Sequence, residues 1–242
     1  MTAWQAVAMA HAKAELPRES CGVVVLIKGR EHYRPCRNVA DDPTAHFVID
    51  GDDYAAAEDL GEIVAVIHSH PRTPAEPSEP DLIAIEQQDT PWWIVNPVTE
   101  AWGGPFLPTG YRAPLIGRQW VWRISDCWTL AHDWYRDHGL QLLDWERPAT
   151  AAQFDAAPMF DACWRQTGFR ELADDDGLQA GDLILMSIGA TGLNHCGVYV
   201  GDQRLLHHLR DRLSGHDVYG GWLQKCTGRR LRHYDAEMLR LG

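Results

Sequence analysis

The sequence predicts two domains of different fold class, a mixed α/β domain over residues 1–105 and an α+β domain over residues 113–242, joined by a linker over 106–112. Three observations predict this. Strand-length apolar runs alternate with helical patterns in the first half, whereas helical patterns come first and strands later in the second, which favours a largely antiparallel sheet there. Between the halves, Gly103-Gly104-Pro105-Phe106-Leu107-Pro108-Thr109-Gly110 and Pro114 form the densest cluster of residues that interrupt both helix and strand. Apolar residues at 45% and charged residues at 23% provide for two packed cores and exclude a disordered chain.

In order along the first half, Thr2 to Glu15 has a helical pattern and Val23 to Ile27 is a strand-length apolar run. Phe47 to Ile49 reads as a short strand, Asp53 to Glu62 as a helix capped by Asp52, and Ile63 to Ile67 as a buried strand. Leu82 to Gln88 follows the capping-type residues Ser78 and Asp81, and Trp92 to Val95 is the last strand. Beyond the linker, Cys127 to His138 reads as a helix with Ser125 or Asp126 as its cap, and Asp155 to Thr167 as a second helix. Strands follow at Asp182 to Met186, His195 to Val200 and Arg204 to Leu209.

The net charge of −12 is unevenly spread. Residues 1–105 carry 7 Lys/Arg against 17 Asp/Glu, and the remainder 15 against 17. An acidic first half repels phosphate backbones and anionic membranes, so nucleic acid and lipid surfaces are excluded as partners, while a metal cation suits it. No run approaches the roughly 18 apolar residues that span a bilayer, and the first residues lack the basic start of a signal peptide, so membrane insertion is not expected and folding in a cytoplasm is. Six cysteines without a C-x-x-C pair fit reduced thiols, one of which is a candidate nucleophile.

The first chemical constellation is His68-Ser69-His70-Pro71 after an apolar strand, with Ser78-Glu79-Pro80-Asp81 opening a helix. Histidines at i and i+2 on an extended segment point to one side, and Asp81 can supply a third corner. Three N/O ligands with one open position is the layout of catalytic zinc. Glu19, before the first strand, is the candidate base for the water that zinc activates, and Ser78 the candidate donor to an oxyanion. An isolated His-x-His is more often a turn after a strand, but the added Ser, Asp and Glu favour a metal site. Together these residues resemble the JAMM, or MPN+, family of zinc isopeptidases and peptidases. That resemblance implies His68, His70 and Asp81 as zinc ligands, Glu19 as general acid/base and Ser78 as oxyanion support. It also allows a ubiquitin-type isopeptidase, for which nothing else in the chain speaks.

The second constellation is Ser125-Asp126-Cys127-Trp128 with Asn194-His195-Cys196-Gly197-Val198-Tyr199 and His207-His208. A cysteine in the first turn of a helix is stabilised as thiolate by the helix N-terminus, whose N–H groups can also hold an oxyanion. His195 opens a strand, and a hairpin about Gly201-Asp202-Gln203 brings either His207 or His208 beside it as the orienting third residue. Cys196, on the opposite strand face, reads as core. These motifs resemble the NlpC/P60 family of papain-like cysteine peptidases, which implies Cys127 as nucleophile, His195 as base, His207 as third residue and peptidoglycan stem peptides as substrate.

The order of the two domains, with Ala113-Pro114-Leu115-Ile116-Gly117-Arg118 and Asp126 to Tyr135, is similar to the bacteriophage lambda tail assembly protein K family. The resemblance implies assembly in a bacterial host cytoplasm with other phage tail-tip proteins, a place on the virion tail tip, and action on the host cell wall at entry. A peptide or protein substrate for the zinc centre is equally expected. The alternative is a non-catalytic tail-tip scaffold that keeps inherited enzyme folds, with part of the eleven tryptophans serving as partner contacts.

Overall fold

The computed structural model describes residues 1–173 and 175–241 and divides into two compact units, Met1–Arg112 and Ala113–Gly242. Among the described residues, no helix is long and apolar enough to cross a membrane.

In the first unit, α1 (Ala3–Glu15) precedes the antiparallel strands β1 (Cys21–Ile27) and β2 (Arg30–Cys36). Then come α2 (Gly51–Glu58), β3 (Glu62–Ser69), α3 (Glu79–Ile85), β4 (Trp92–Asn96) and β5 (Ala101–Phe106). The sheet order is β2-β1-β3-β4-β5, antiparallel except for the β3–β4 pair. Thr2 and Gln5 form a capping box that starts α1, and its Trp4 and Ala8 pack on Val24, Tyr33, Ala65 and Ile67. Because side chains alternate along β3, Ala65 and Ile67 face α1 and His68 faces the other side.

The second unit has a helical layer and a six-stranded antiparallel sheet. Its helices are α4 (Cys127–Asp137), α5 (Ala151–Ala156) and α6 (Phe160–Cys163). Its strands begin with β6 (Phe169–Glu171), β7 (Asp182–Met186), β8 (His195–Tyr199), β9 (Arg204–His207) and β10 (Gly215–Val218). Helix α7 (Gly221–Cys226) leads into β11 (Thr227–His233). The order is β10-β9-β8-β7-β11-β6. One sheet face, with Leu183, Leu185, Cys196, Val198 and Leu206, joins the helical core of Trp128, Leu130, Ala131, Trp134 and Phe160. The other, with Ile184, Met186 and Leu205, is covered by Tyr219 and Leu223.

Several expected elements differ. Phe47 to Ile49 is not a strand; it makes one bridge, Asn38 to Ile49, because the Asn38 side chain takes over the loop's hydrogen bonds, accepting from Ala40 and Val48 N–H and donating to the Glu19 and His46 carbonyls. Helix α2 starts earlier than expected, capped by Asp50, whose carboxylate accepts from Asp52 and Asp53 N–H. Gly103-Gly104-Pro105 does not interrupt the first unit but lies in edge strand β5, where proline is tolerated. Glycine is required there, since a Cβ at Gly103 would fall 1.8 Å from the Ala75 carbonyl oxygen. The expected helix from Asp155 to Thr167 is two short ones, separated at Pro158, with Thr150 and Gln153 forming a capping box for the first. Strands β2, β6, β10 and β11 are too polar to announce themselves by an apolar run. In β11 the basic side chains are instead paired, Arg229 with Asp161 and Glu171, and Arg232 with Asp182.

Candidate metal centre and candidate thiol site

In the first unit the end of β3 is locked against the start of β1. Ser69 N–H donates to the Ser20 carbonyl, Ser20 N–H donates to Ser69 Oγ at 2.8 Å, and Cys21 sits opposite His68 in the register. His70 continues the line, its N–H donating to the Val95 carbonyl. This holds His68 and His70 two residues apart on one side, and Ser78 caps α3 so that Asp81 turns back toward them. His68 Nε2 and His70 Nε2 are 3.0 Å apart, and the Asp81 oxygens stand 3.3 Å from the first and 3.1 Å from the second.

Zinc bonds of about 2.0–2.1 Å in a tetrahedral array put ligand atoms about 3.3 Å apart, close to this triangle. The donor set therefore fits a zinc ion without rearrangement, and His68, His70 and Asp81 are all buried. His70 Nδ1 lies 3.1 Å from the Pro74 carbonyl, which can only accept, so Nδ1 carries the proton and Nε2 presents a lone pair. The His68 ring is stacked on Phe47 with centroids 4.4 Å apart and meets Trp92 edge-on at 5.6 Å, which fixes its plane. Burial works against ionising Asp81, but attraction to His68 and a hydrogen bond with it outweigh that effect and hold the carboxyl far below its usual range.

Glu19 is buried at the edge of this cluster, tied by its N–H to the Pro43 carbonyl and by its own carbonyl to Asn38. Burial pushes its carboxyl up to about 8, opposed by His70 and helped by Asp81 and Asp42. Ser78 differs from the oxyanion donor expected of it, because its hydroxyl proton is already engaged. Ser78 Oγ donates to Asp81 Oδ2 at 2.6 Å, and its N–H donates to the same oxygen at 2.8 Å. As the structure stands, Ser78 holds the Asp81 carboxylate in place.

In the second unit Asp126, rather than Ser125, caps α4 and places Cys127 at its first position. The Asp126 carboxylate accepts from Trp128 and Thr129 N–H and from Arg123 N–H at 2.7 Å, and pairs with the guanidinium of Arg147. Leu130 N–H is taken by the Asp126 carbonyl. The expectation that several first-turn N–H groups are open to an oxyanion is thus corrected: among the described residues, the Cys127 N–H is the one left without a partner.

The histidines come from neighbouring strands. His207 on β9 faces Gly197 on β8 in the register, so His195, two residues earlier on the same face, reaches it diagonally. The rings meet with His195 Nε2 3.0 Å from His207 Nδ1. Gly197 makes this possible, because a Cβ there would lie 2.9 Å from both His207 Cβ and Leu205 Cγ. His208 faces the other way, fully buried, with neither ring nitrogen bonded among the described residues.

Cys196, expected to be core only, is fully buried but also touches the nucleophile candidate. A hydrogen bond from the Cys196 thiol, joined by attraction to and a hydrogen bond with His195, draws the Cys127 thiol below its ordinary value against the opposing effect of burial. The residue that sequence reasoning missed is Asp217 on β10, whose Oδ2 lies 3.0 Å from His207 Nε2. It sits in a polar strand, Gly-His-Asp-Val, with no motif to mark it. All six cysteines are free thiols.

Fold and sites together define a chain with two peptidase-family domains in tandem. Residues 1–103 match the family of prokaryotic homologs of the JAB domain, and residues 103–232 match the NlpC/P60 family. The chain belongs to the tail tip assembly protein K family: it is 40% identical over 235 residues to the tail tip assembly protein K of Escherichia phage N15, covering 94% of this chain and 93% of that one. Its counterpart from Escherichia phage lambda is 32% identical over 192 residues, covering 75% of this chain and 87% of the relative. Ninety-five residues are also 33% identical to the CysO-cysteine peptidase of Mycobacterium tuberculosis, covering 36% of this chain and 65% of that protein. The resemblance stated from the motifs is borne out for the family and for the order of its domains.

Proposed function

We propose that this chain is a phage tail-tip assembly protein whose second unit cleaves peptide bonds in peptidoglycan stems through Cys127, and whose first unit is a zinc-dependent peptide hydrolase. The observation that carries the reading is the placement of His195 and His207 on adjacent strands beside a cysteine at the first position of a helix. His195 takes the thiol proton, and the thiolate attacks the scissile carbonyl carbon. The Cys127 N–H stabilises the oxyanion as the C–N bond breaks, and His195 returns the proton to the leaving amine. Water, deprotonated by the same ring, then releases the acyl group and regenerates the thiol.

In the first unit His68, His70 and Asp81 are the residues to hold zinc. When bound, zinc supplies Lewis-acid activation of water and of the substrate carbonyl. Glu19 takes the general acid/base role in this reading: its carboxylate form accepts a proton from water and its acid form delivers it to the leaving amine. Ser78 keeps Asp81 oriented, and serves an oxyanion only if its hydroxyl is redirected from Asp81 Oδ2. The substrate of this unit is a peptide or a protein of the same assembly. By kinship with the phage relatives, the protein is made in the host cytoplasm, joins other tail-tip proteins and reaches the host cell wall on the virion.

The scaffold reading is favoured by one observation, that both phage relatives bear the name of assembly proteins. Digestion of purified peptidoglycan by the full chain separates the two. Release of stem-peptide fragments that is lost in Cys127→Ala and His195→Ala supports the enzyme. Equal release by Cys127→Ala refutes it, and phage complementation by a Cys127→Ala, His68→Ala double variant establishes the scaffold.

A further inference from the structure

The histidine pair does not end at His207. Asp217 on β10 accepts at Oδ2 from His207 Nε2 at 3.0 Å and from Arg212 Nη1 at 3.2 Å. Leu205 stands opposite Asp217 in the register and Gly215 opposite His207, so His195, His207 and Asp217 run diagonally across one face of three adjacent strands.

The proton positions along this line follow from what each atom can do. An ionised carboxylate only accepts, so His207 Nε2 carries a hydrogen. A neutral His207 then has a bare Nδ1, which must receive N–H from His195 Nε2 at 3.0 Å. With its hydrogen on Nε2, a neutral His195 has a bare Nδ1, the atom left to face the Cys127 thiol. Reversing any link would leave His195 with a hydrogen where it needs a lone pair.

We propose that Asp217 is a positioning residue that, acting through His207, fixes the tautomer in which His195 can take the proton of Cys127. The proposal rests on the reading of Cys127 and His195 as nucleophile and base. Burial and the proximity of His195 bring His207 down to about 4, so the intermediate ring is neutral at physiological pH and transmits orientation instead of charge. The groups around the relay are Arg212 and His216 at its outer end and Cys196 and Asp126 at its inner end. A shallow, partly open pocket lined by His207, Arg212, His216 and Asp217 lies at the outer end. Removing the Asp217 carboxylate therefore leaves a hole that a small carboxylate can enter, with Arg212 still present to attract it.

The test needs no substrate. Alkylation of Cys127 by iodoacetamide is followed across pH in the full chain by peptide mass spectrometry, for the wild type, Asp217→Ala and Asp217→Asn, with and without formate. Loss of an orienting partner of this kind lowers function about 10–100-fold, and the alkylation rate of Asp217→Ala at neutral pH should fall by that order, with its midpoint moved to higher pH. Formate should restore the rate in Asp217→Ala and leave the wild type unchanged. Asp217→Asn, which keeps an accepting oxygen without the charge, should fall between the two and also shows the effect if the alanine variant fails to fold. A wild-type pH profile in both variants, or a loss in Asp217→Ala that formate does not reverse, overturns the proposal. An ordinary thiol profile in the wild type itself overturns the nucleophile reading instead, so the two failures are distinguishable.

Discussion

The candidate metal centre and the candidate thiol site are built on opposite plans. The first is local: one strand end, one turn and one helix cap, between His68 and Asp81, supply all three candidate ligands, and Ser78 both starts the helix and hydrogen-bonds Asp81. The second is assembled at a distance. Cys127 comes from a helix, His195, His207 and Asp217 from three strands, and the helix start is held by Arg147 from a later loop. A local site is set by chain geometry, whereas an assembled one depends on tertiary packing. Damage to remote partners should therefore reach the thiol and spare the metal.

Asp126→Ala should show this most strongly. It removes the cap of α4 and leaves the guanidinium of Arg147, whose side chain is only 9% exposed, without its partner. Breaking a buried pair from one side costs about 3–5 kcal/mol, so chemical unfolding of the second unit should shift by that order while zinc content is unchanged. A shift below about 1 kcal/mol would mean that Arg147 finds other partners and that the thiol site is less dependent on distant residues than argued.

Gly197→Ala comes next. The added methyl overlaps His207 Cβ and Leu205 Cγ, and overpacking of this kind costs about 1–3 kcal/mol. Separation of the two rings should also slow Cys127 alkylation at neutral pH. An unchanged rate would show that the strands shift without disturbing the histidine pair. Ser78→Ala tests the local plan with the smallest stability effect, about 1 kcal/mol for a lost cap. Its larger consequence is on the ligand that Ser78 orients, with a fall in zinc affinity of about 10–100-fold. Unaltered affinity would show that the backbone alone holds Asp81.

The same contrast explains how much was legible in the sequence. His68, His70, Ser78 and Asp81 are near one another along the chain, so spacing alone gathers them, and β3 and α3 are marked by an apolar run and a capping residue. Cys127 and His195 carry their own local signals, a helix cap and a strand start. Asp217 has none, because its partner is defined by the β9–β10 register and β10 is a polar strand. The thiol contact of Cys196 was hidden for a related reason, since strand alternation sends it away from His195 yet into the same core as the first turn of α4. Phe47 reads as a strand residue in the sequence because apolar character does not distinguish a sheet partner from a ring stacked on a histidine.

The most direct test of the account is the zinc content of the purified full chain, measured by elemental analysis alongside His68→Ala and Cys127→Ala. About one zinc per chain, retained in Cys127→Ala and lost in His68→Ala, is the expected result for a three-ligand site of this kind. Protein purified without chelator that carries no zinc, or zinc that persists in His68→Ala, would contradict it.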